Sequence, residues 1–304
     1  MRHVVPFLLL CPFAAVDAAE GQTGVPHRFL GAGADALIAI VDKDDKIEWQ
    51  RKVPGEIHEA VLLPNGHVLM GVGWTKIVEL DIAQGDKEVW SYDSATMNGN
   101  AGKRVEIHSF ERLADGSTMI IESGPARIIE VDAKGALLRA TPLTTDKEDA
   151  HRDSRHGRKL DTGNYLVAQE GDNKVREYEP GTGKVVWTYD CKSMVFSAVR
   201  LKNGNTLIGD GNGHKVIEVD RSGATVWSVG EKELPGIKLV WVAQIERLAN
   251  GNTVIVNCHA GPDQPQMIEI TADKKVVWAM NEFKRFGNGM PVGQDLDAGA
   301  GVIR

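Results

Sequence analysis

Residues 201–230 have the sequence LKNGNTLIGDGNGHKVIEVDRSGATVWSVG, and this stretch decides the fold. The Asn203-Gly204 pair favours the positive φ angle of a tight turn. The segment after the turn is rich in β-forming residues, and residues 215–220 alternate between polar and apolar side chains, which is typical of a strand with one packed face. A second glycine turn then leads to a strand containing Trp227. Together with the strand before Leu201, the stretch predicts four short antiparallel strands.

The same pattern recurs along the chain. By subtraction of their residue numbers, the leading leucines lie 50, 47, 41 and 47 residues apart. Periods of about 40–50 residues indicate the blades of a β-propeller. The copies begin at Leu63, Leu113, Leu160, Leu201 and Leu248. A tryptophan recurs in the fourth strand at Trp49, Trp90, Trp187, Trp227 and Trp278, and a repeated aromatic residue of this kind is expected to pack blade against blade.

The two ends of the chain predict a sixth, composite blade. Residues 28–53 match the last three strands of a blade, and residues 296–303 are assigned as its innermost strand. Their pairing would close the ring and remove an exposed sheet edge. The prediction is thus an all-β chain with a single propeller of about six four-stranded blades. The predicted boundaries are a signal peptide at 1–18, a propeller at 19–304, a composite blade at 28–53 plus 291–304, and blades at 58–93, 108–143, 156–190, 197–230 and 243–280.

Residues 183–187, with the sequence GKVVW, resemble the tryptophan repeat of PQQ-type propellers. The whole pattern is similar to the PQQ-like and arylsulfotransferase-like repeat proteins of bacteria, and the resemblance covers nearly all of the chain after residue 18. It implies the propeller fold. It does not imply one function, since unrelated chemistries share this scaffold.

The N-terminus predicts export to the periplasm or the extracellular space. A short basic start is followed by an apolar segment, and small residues precede the expected cleavage after Ala18. Leu10 before Cys11 disfavours a lipoprotein signal.

The formal net charge of −7 gives no electrostatic reason to bind nucleic acid or an anionic membrane. Cys191 and Cys258 belong to blades well apart in the repeat, so free thiols are expected.

One end of the propeller has longer loops than the other, and function usually collects on such loops. His58, His108 and His156 stand near the starts of three innermost strands, with Arg155 and Gln244 close to equivalent positions. Two interpretations are open. The histidines form a catalytic or ligand-binding site at the channel mouth, or they hydrogen-bond neighbouring blades.

A second set of polar residues recurs six positions after the turn glycine. Oxygen ligands from several blades could hold Ca²⁺ as a cofactor, but solvated strand ends are the favoured interpretation. The set comprises Glu122, Asp210 and Asn257, with Gln169 at the matching position and Glu170 beside it. Trp74 and Trp241 lie outside the tryptophan repeat and could stack on a ligand at the long-loop end. Cys258 and His259 are adjacent, so a zinc site there is not expected.

Three functions remain open from the sequence. The first is an exported propeller that binds a small molecule, glycan or protein through the long-loop face. The second, implied by the resemblance, is group transfer through a channel histidine, His108 or His156, although no His-x-Asn motif and no second domain are present. The third is lactonase-like, metal-dependent hydrolysis. PQQ-dependent dehydrogenation is not expected, because the chain is short for eight blades and lacks an adjacent cysteine pair. The binding protein is the preferred hypothesis.

Overall fold

The computed structural model describes residues 20–33, 37–299 and 301–304. The predicted signal peptide, with its cleavage site and Cys11, lies outside these residues. In the described ranges the strands are, in chain order, β1 (Gly21–Gly24), β2 (Phe29–Ala32), β3 (Leu37–Val41), β4 (Ile47–Lys52), β5 (Ala60–Leu62), β6 (Val68–Val72), β7 (Lys76–Asp81), β8 (Lys87–Asp93), β9 (Glu106–Arg112), β10 (Thr118–Ser123), β11 (Arg127–Val131), β12 (Leu137–Pro142), β13 (Gly157–Lys159), β14 (Tyr165–Gln169), β15 (Lys174–Tyr178), β16 (Val185–Asp190), β17 (Ser197–Arg200), β18 (Thr206–Asp210), β19 (Lys215–Val219), β20 (Thr225–Gly230), β21 (Trp241–Arg247), β22 (Thr253–Cys258), β23 (Met267–Ile270), β24 (Val276–Asn281) and β25 (Val292–Asp295).

Helical structure is minor in the described residues. A 3-10 turn spans Ile82–Gln84, and a single α-helical turn, α1, spans Phe283–Phe286. No helix in this part of the chain is long and apolar enough to cross a membrane.

The strands form six antiparallel blades, which confirms the predicted propeller. Blades 1 to 4 are β5–β8, β9–β12, β13–β16 and β17–β20, each in chain order from the channel outward. Blade 5 contains β21–β24 and gains β1 as a fifth strand on its outer edge. Blade 6 has the order β25-β2-β3-β4, so strands from the two chain ends close the ring, as expected.

One detail of the closure prediction is wrong. The innermost strand of blade 6 is Val292–Asp295, not residues 296–303. In every blade the repeat leucine follows the innermost strand and belongs to the turn; for example, the Leu63 N–H donates to the His67 carbonyl across that turn. Leu296 stands at the same position, so the strand must precede it. The segment after the turn crosses to blade 5, where Ile303 and Arg247 exchange two backbone hydrogen bonds.

The apolar core is divided among the blade interfaces. In the described part of the chain, each pair of neighbouring blades encloses its own cluster of buried side chains. Every blade also has a register shift between its third and fourth strands. Such a bulge increases the local twist of a sheet. The outer strand therefore turns away from the inner ones in the same way in each blade.

The repeated tryptophans join neighbouring blades, as the sequence indicates. The Trp187 indole N–H donates to the Arg221 carbonyl of the next blade at 3.0 Å, and the guanidinium of Arg200 lies 4.9 Å from the Trp187 ring. Arg200 also pairs with Glu177 at 2.8 Å. Arg112 and Arg247 repeat this arrangement on Trp90 and Trp227. A cation over an indole face adds to the packing of the apolar side chains.

Candidate functional site at the long-loop face

Four aromatic rings meet at the long-loop end of the channel. His58 stacks on Trp74 with 4.8 Å between ring centroids, and the edge of His108 approaches His58 at 4.9 Å. His151 completes the group at 5.4 Å from both Trp74 and His108. We call these four residues the His–Trp cluster.

Blades 1 and 2 and the link that follows blade 2 supply the cluster. His58 lies two residues before β5, His108 lies in β9, and Trp74 lies in the turn between β6 and β7. His151 comes from the long link between β12 and β13. The Trp74 carbonyl accepts a 2.7 Å hydrogen bond from the Ile107 N–H, which fixes the turn against the start of β9. The cluster is therefore built on two strand starts, one anchored turn and one long link.

A carboxylate holds two of the histidines together. Glu106 accepts a hydrogen bond from His151 Nδ1 at 2.7 Å through Oε2, and the same oxygen lies 3.4 Å from His108 Nε2. The other oxygen, Oε1, accepts from Arg104 at 2.6 Å. Burial alone would raise the pKa of Glu106, but the hydrogen bonds from His108, His151 and Arg104 lower it well below its usual range. Glu106 is therefore an anion at neutral pH.

Arg155 determines the protonation of His108. Its Nη1 lies 3.0 Å from His108 Nδ1, and a guanidinium can only donate, so Nδ1 must be the acceptor. The ring proton of neutral His108 then sits on Nε2, facing Glu106. Burial lowers the pKa of His108 to about 4, with the hydrogen bond to Glu106 opposing and the charge of Arg155 reinforcing this effect. His108 is accordingly neutral at physiological pH.

Arg155 is itself held by Glu170. Its Nε donates to Glu170 Oε2 at 2.5 Å, and Arg152 pairs with the other oxygen of Glu170 at 3.1 Å. The rim of the cluster is open, because Trp74 is 37% exposed and His151 is 36% exposed at its side chain. The cluster thus combines an accessible aromatic surface with a buried, hydrogen-bonded base.

His58 shares the low basicity of His108. Burial is the main cause that lowers its pKa far below the usual value, followed by the charges of His108 and Arg155. Its Nε2 lies 3.1 Å from Glu56 Oε2. Its Nδ1 is buried and has no hydrogen-bond partner among the described residues.

His156 does not join the other two histidines, contrary to expectation. His58, His108 and Arg155 each stand five residues before their repeat leucine, whereas His156 stands four before Leu160. On a strand, an offset of one residue turns the side chain to the other face. His156 is buried, and that burial lowers its pKa well below the usual value.

A cavity lies toward the turn face of the channel. His156, Glu59, Gln244 and Arg158 line a cavity of about 770 Å³ that opens among the repeat turns. Gln244 donates to Glu59 at 2.9 Å, and Arg158 pairs with Glu59 at 3.0 Å. Gln244 therefore belongs to this polar channel and not to the His–Trp cluster.

The residues considered for calcium are not gathered into one site. Glu122 binds Ser94, Asn100 and Arg127; Asp210 binds Ser193 and pairs with Lys215; Asn257 binds the backbone at Lys238, Val240 and Pro265; Gln169 binds Thr144, Arg176 and Tyr178; and Glu170 binds Arg152 and Arg155. They are also buried, so solvated strand ends was the wrong description. Each fastens a loop to its own blade, since a buried polar group requires a partner.

Trp241 lies apart from the cluster, at the start of β21, where it packs against the core shared by blades 5 and 6.

Cys191 and Cys258 are both buried, and neither forms a disulfide in the described structure. Burial raises the pKa of the Cys258 thiol to about 12, which disfavours the thiolate that a zinc ligand requires.

The sequence analysis did not identify Glu106 or His151. Glu106 and His108 lie two residues apart on one strand and therefore share a face. The same Glu-x-His spacing occurs at Glu56 and His58 in the preceding blade, and this repetition was the available signal. His151 had only its place in the long loop as a signal.

The comparisons with known proteins agree with this architecture. The repeat family described as the outer membrane protein assembly factor BamB, a PQQ-type repeat family, matches residues 20–158 and 147–262. The chain therefore belongs to this family of PQQ-like β-propellers. No curated protein matches the sequence.

Solved structures show the same fold. A protein of unknown function from Bacteroides caccae is 27% identical, with a TM-score of 0.76 over 88% of this chain and 98% of that one. A streptogramin B lyase is 12% identical, with a TM-score of 0.59 over 91% and 94% of the two chains. Virginiamycin B lyase from Staphylococcus aureus is 11% identical, with a TM-score of 0.56 over 85% and 87%. The lyases share only the fold with this chain at such identities.

Proposed function

We propose that the protein is an exported propeller that binds a small molecule through the His–Trp cluster on its long-loop face. The observation that carries this proposal is the indole of Trp74, which is more than a third exposed and stacks on the partly buried ring of His58. A large aromatic surface held rigidly beside polar groups is typical of ligand sites. Export is supported by the N-terminal sequence of residues 1–18.

A protein ligand is the second candidate, because the matching family is named for an assembly factor of outer membrane proteins. A protein partner would cover the rim, including Arg104 and Arg152, whose side chains are largely exposed or half-exposed. A small molecule would instead need only the rings and Glu106.

Group transfer through a histidine is less well supported. Nδ1 of His108 contacts Arg155 and Nε2 faces Glu106, so a transferred group would have to displace one of these contacts. His156 lies away from the exposed rim and its burial disfavours the charged state.

The proposal is tested by a thermal-shift screen of small molecules against the wild type, Trp74→Phe and Trp241→Phe. A ligand of the cluster stabilises the wild type and Trp241→Phe, and its effect falls at least about tenfold in apparent affinity with Trp74→Phe. Trp241→Phe is the matched control, since Trp241 lies outside both the tryptophan repeat and the cluster. A ligand lost only with Trp241→Phe would refute the location of the site.

A further inference from the structure

Glu106, His108 and His151 place three metal-binding atoms together at the rim of the His–Trp cluster. One carboxylate oxygen and one ring nitrogen from each histidine all lie within 4.8 Å of one another. The Glu106 oxygen lies 2.7 Å from His151 Nδ1 and 3.4 Å from His108 Nε2. Three donors from two separate segments thus converge without any rearrangement of the backbone.

The spacing of these atoms is close to what a zinc ion requires. Zinc binds imidazole nitrogen and carboxylate oxygen at about 2.0–2.2 Å, which places tetrahedral ligands roughly 3.3 Å apart. Two of the three pairwise distances, 2.7 and 3.4 Å, lie on either side of that value, and the third lies within 4.8 Å. Two imidazoles and one carboxylate are also the donor set of catalytic zinc sites, in which a fourth position stays open.

The surroundings allow an ion to enter and a fourth ligand to bind. His151 is about one third exposed, so the site faces solvent on one side. His58 adjoins His108, and its buried Nδ1 has no partner within the described structure. A buried nitrogen without a hydrogen bond costs free energy unless water or a ligand reaches it.

We propose that Glu106, His108 and His151 bind a zinc ion whose remaining coordination position is open to water or to a ligand at the channel mouth. This inference goes beyond the proposed function, because zinc alone is enough to test it.

Arg155 opposes this metal site. It donates to His108 Nδ1, and the ring proton therefore occupies Nε2, the atom that would bind zinc. Binding requires that proton to move from Nε2 to Nδ1, while Arg155 gives up Nδ1 and keeps its contact with Glu170. In other zinc sites the second nitrogen of the ligating histidine donates to an acceptor, which a guanidinium cannot provide. Arg155→Gln supplies such an acceptor and should strengthen zinc binding.

A second possible donor set does not support the same inference. His27, Asp295 and Asp297 also lie close together, but His27 is positioned between two buried carboxylates and carries a proton at neutral pH. A protonated imidazole is not a metal ligand.

The test is a zinc titration of the untagged protein, read by competition with a chromogenic chelator. We expect one zinc ion per chain, bound tightly enough to withdraw zinc from the chelator, as the donor set is that of catalytic zinc sites with three protein ligands. His151→Ala should weaken binding by at least about 100-fold, and Arg155→Gln should strengthen it by at least about tenfold. His67→Ala is the matched control, because His67 Nδ1 contacts Glu79 at the same 2.7 Å but belongs to no metal-binding group of the described residues.

Three results would overturn the proposal. The first is the absence of stoichiometric zinc binding in the wild type. The second is an equal loss of zinc affinity with His67→Ala and with His151→Ala, which would indicate nonspecific zinc binding by surface histidines. The third is zinc bound with unchanged affinity after His151→Ala, which would locate the ion elsewhere. Circular dichroism of each variant verifies folding, and His151 is about one third exposed in a loop, so its replacement should leave the propeller intact.

Discussion

Replacing His27 by Gln tests how the ring of blades is closed. In blades 2 to 5 a basic residue stands directly before the repeat leucine and pairs with a glutamate of the preceding blade, as Arg200 does with Glu177. At the closure this position is Asp295, which would face Glu269 of blade 5 with the wrong charge. His27 from the N-terminal segment lies between them, 2.8 Å from Glu269 and 3.4 Å from Asp295.

The pKa of His27 measures what this bridge contributes. Burial lowers it, but the hydrogen bonds and charges of Asp295 and Glu269 outweigh burial and raise the pKa from 6.5 to about 9. At 1.36 kcal/mol per pH unit the difference corresponds to roughly 3 kcal/mol. Solvent contact and salt screening reduce this to about 1–2 kcal/mol. His27→Gln should therefore lower Tm at pH 6 by about 2–3 °C, because a chain of this size has an unfolding entropy of roughly 0.6 kcal/mol/K.

The pH dependence of Tm distinguishes the effect of the His27 charge from the effect of its packing. The pKa of His27 is raised in the folded state. Protonated His27 therefore stabilises the fold fully below pH 6.5, and this stabilisation disappears as the pH rises through about 9. The Tm difference between wild type and His27→Gln should thus be largest at pH 6 and small at pH 10. A difference that is equal at both values would assign the effect to the edge contact of His27 with Trp278 at 4.8 Å.

Three further predictions concern closure, a buried carboxyl and export. Deleting residues 292–304 removes the innermost strand of blade 6 and should cause aggregation in size-exclusion chromatography, and an unchanged monomer would contradict closure by β25. Burial raises the pKa of Glu246 to about 7, so the charged form destabilises the fold at higher pH, and Glu246→Gln should raise Tm at pH 8.5 but not at pH 5. N-terminal sequencing of the exported protein should begin near Ala19, and a start at Met1 would contradict export.

The propeller was predictable because short, local sequence patterns mark each copy of its repeat. The same period follows independently from the turn glycines, from the alternating strands and from the tryptophans of the fourth strands. Such agreement between separate sequence signals specifies one fold. The error at the closing strand has a local cause. Leu296 was taken as the start of the innermost strand of blade 6, whereas the repeat leucine follows the innermost strand in every blade.

The site was only partly predictable, because its members depend on the repeat to different degrees. His58, His108 and Arg155 share one repeat position, so their convergence follows from the symmetry of the blades. Glu106 shares a strand face with His108 and could have been found from the same register. His151 lies in the link between β12 and β13, whose path no repeat determines. It reaches the cluster because Glu106 binds its ring, a contact between residues 45 positions apart. The residue that the zinc proposal most depends on is therefore one that only a three-dimensional structure could supply.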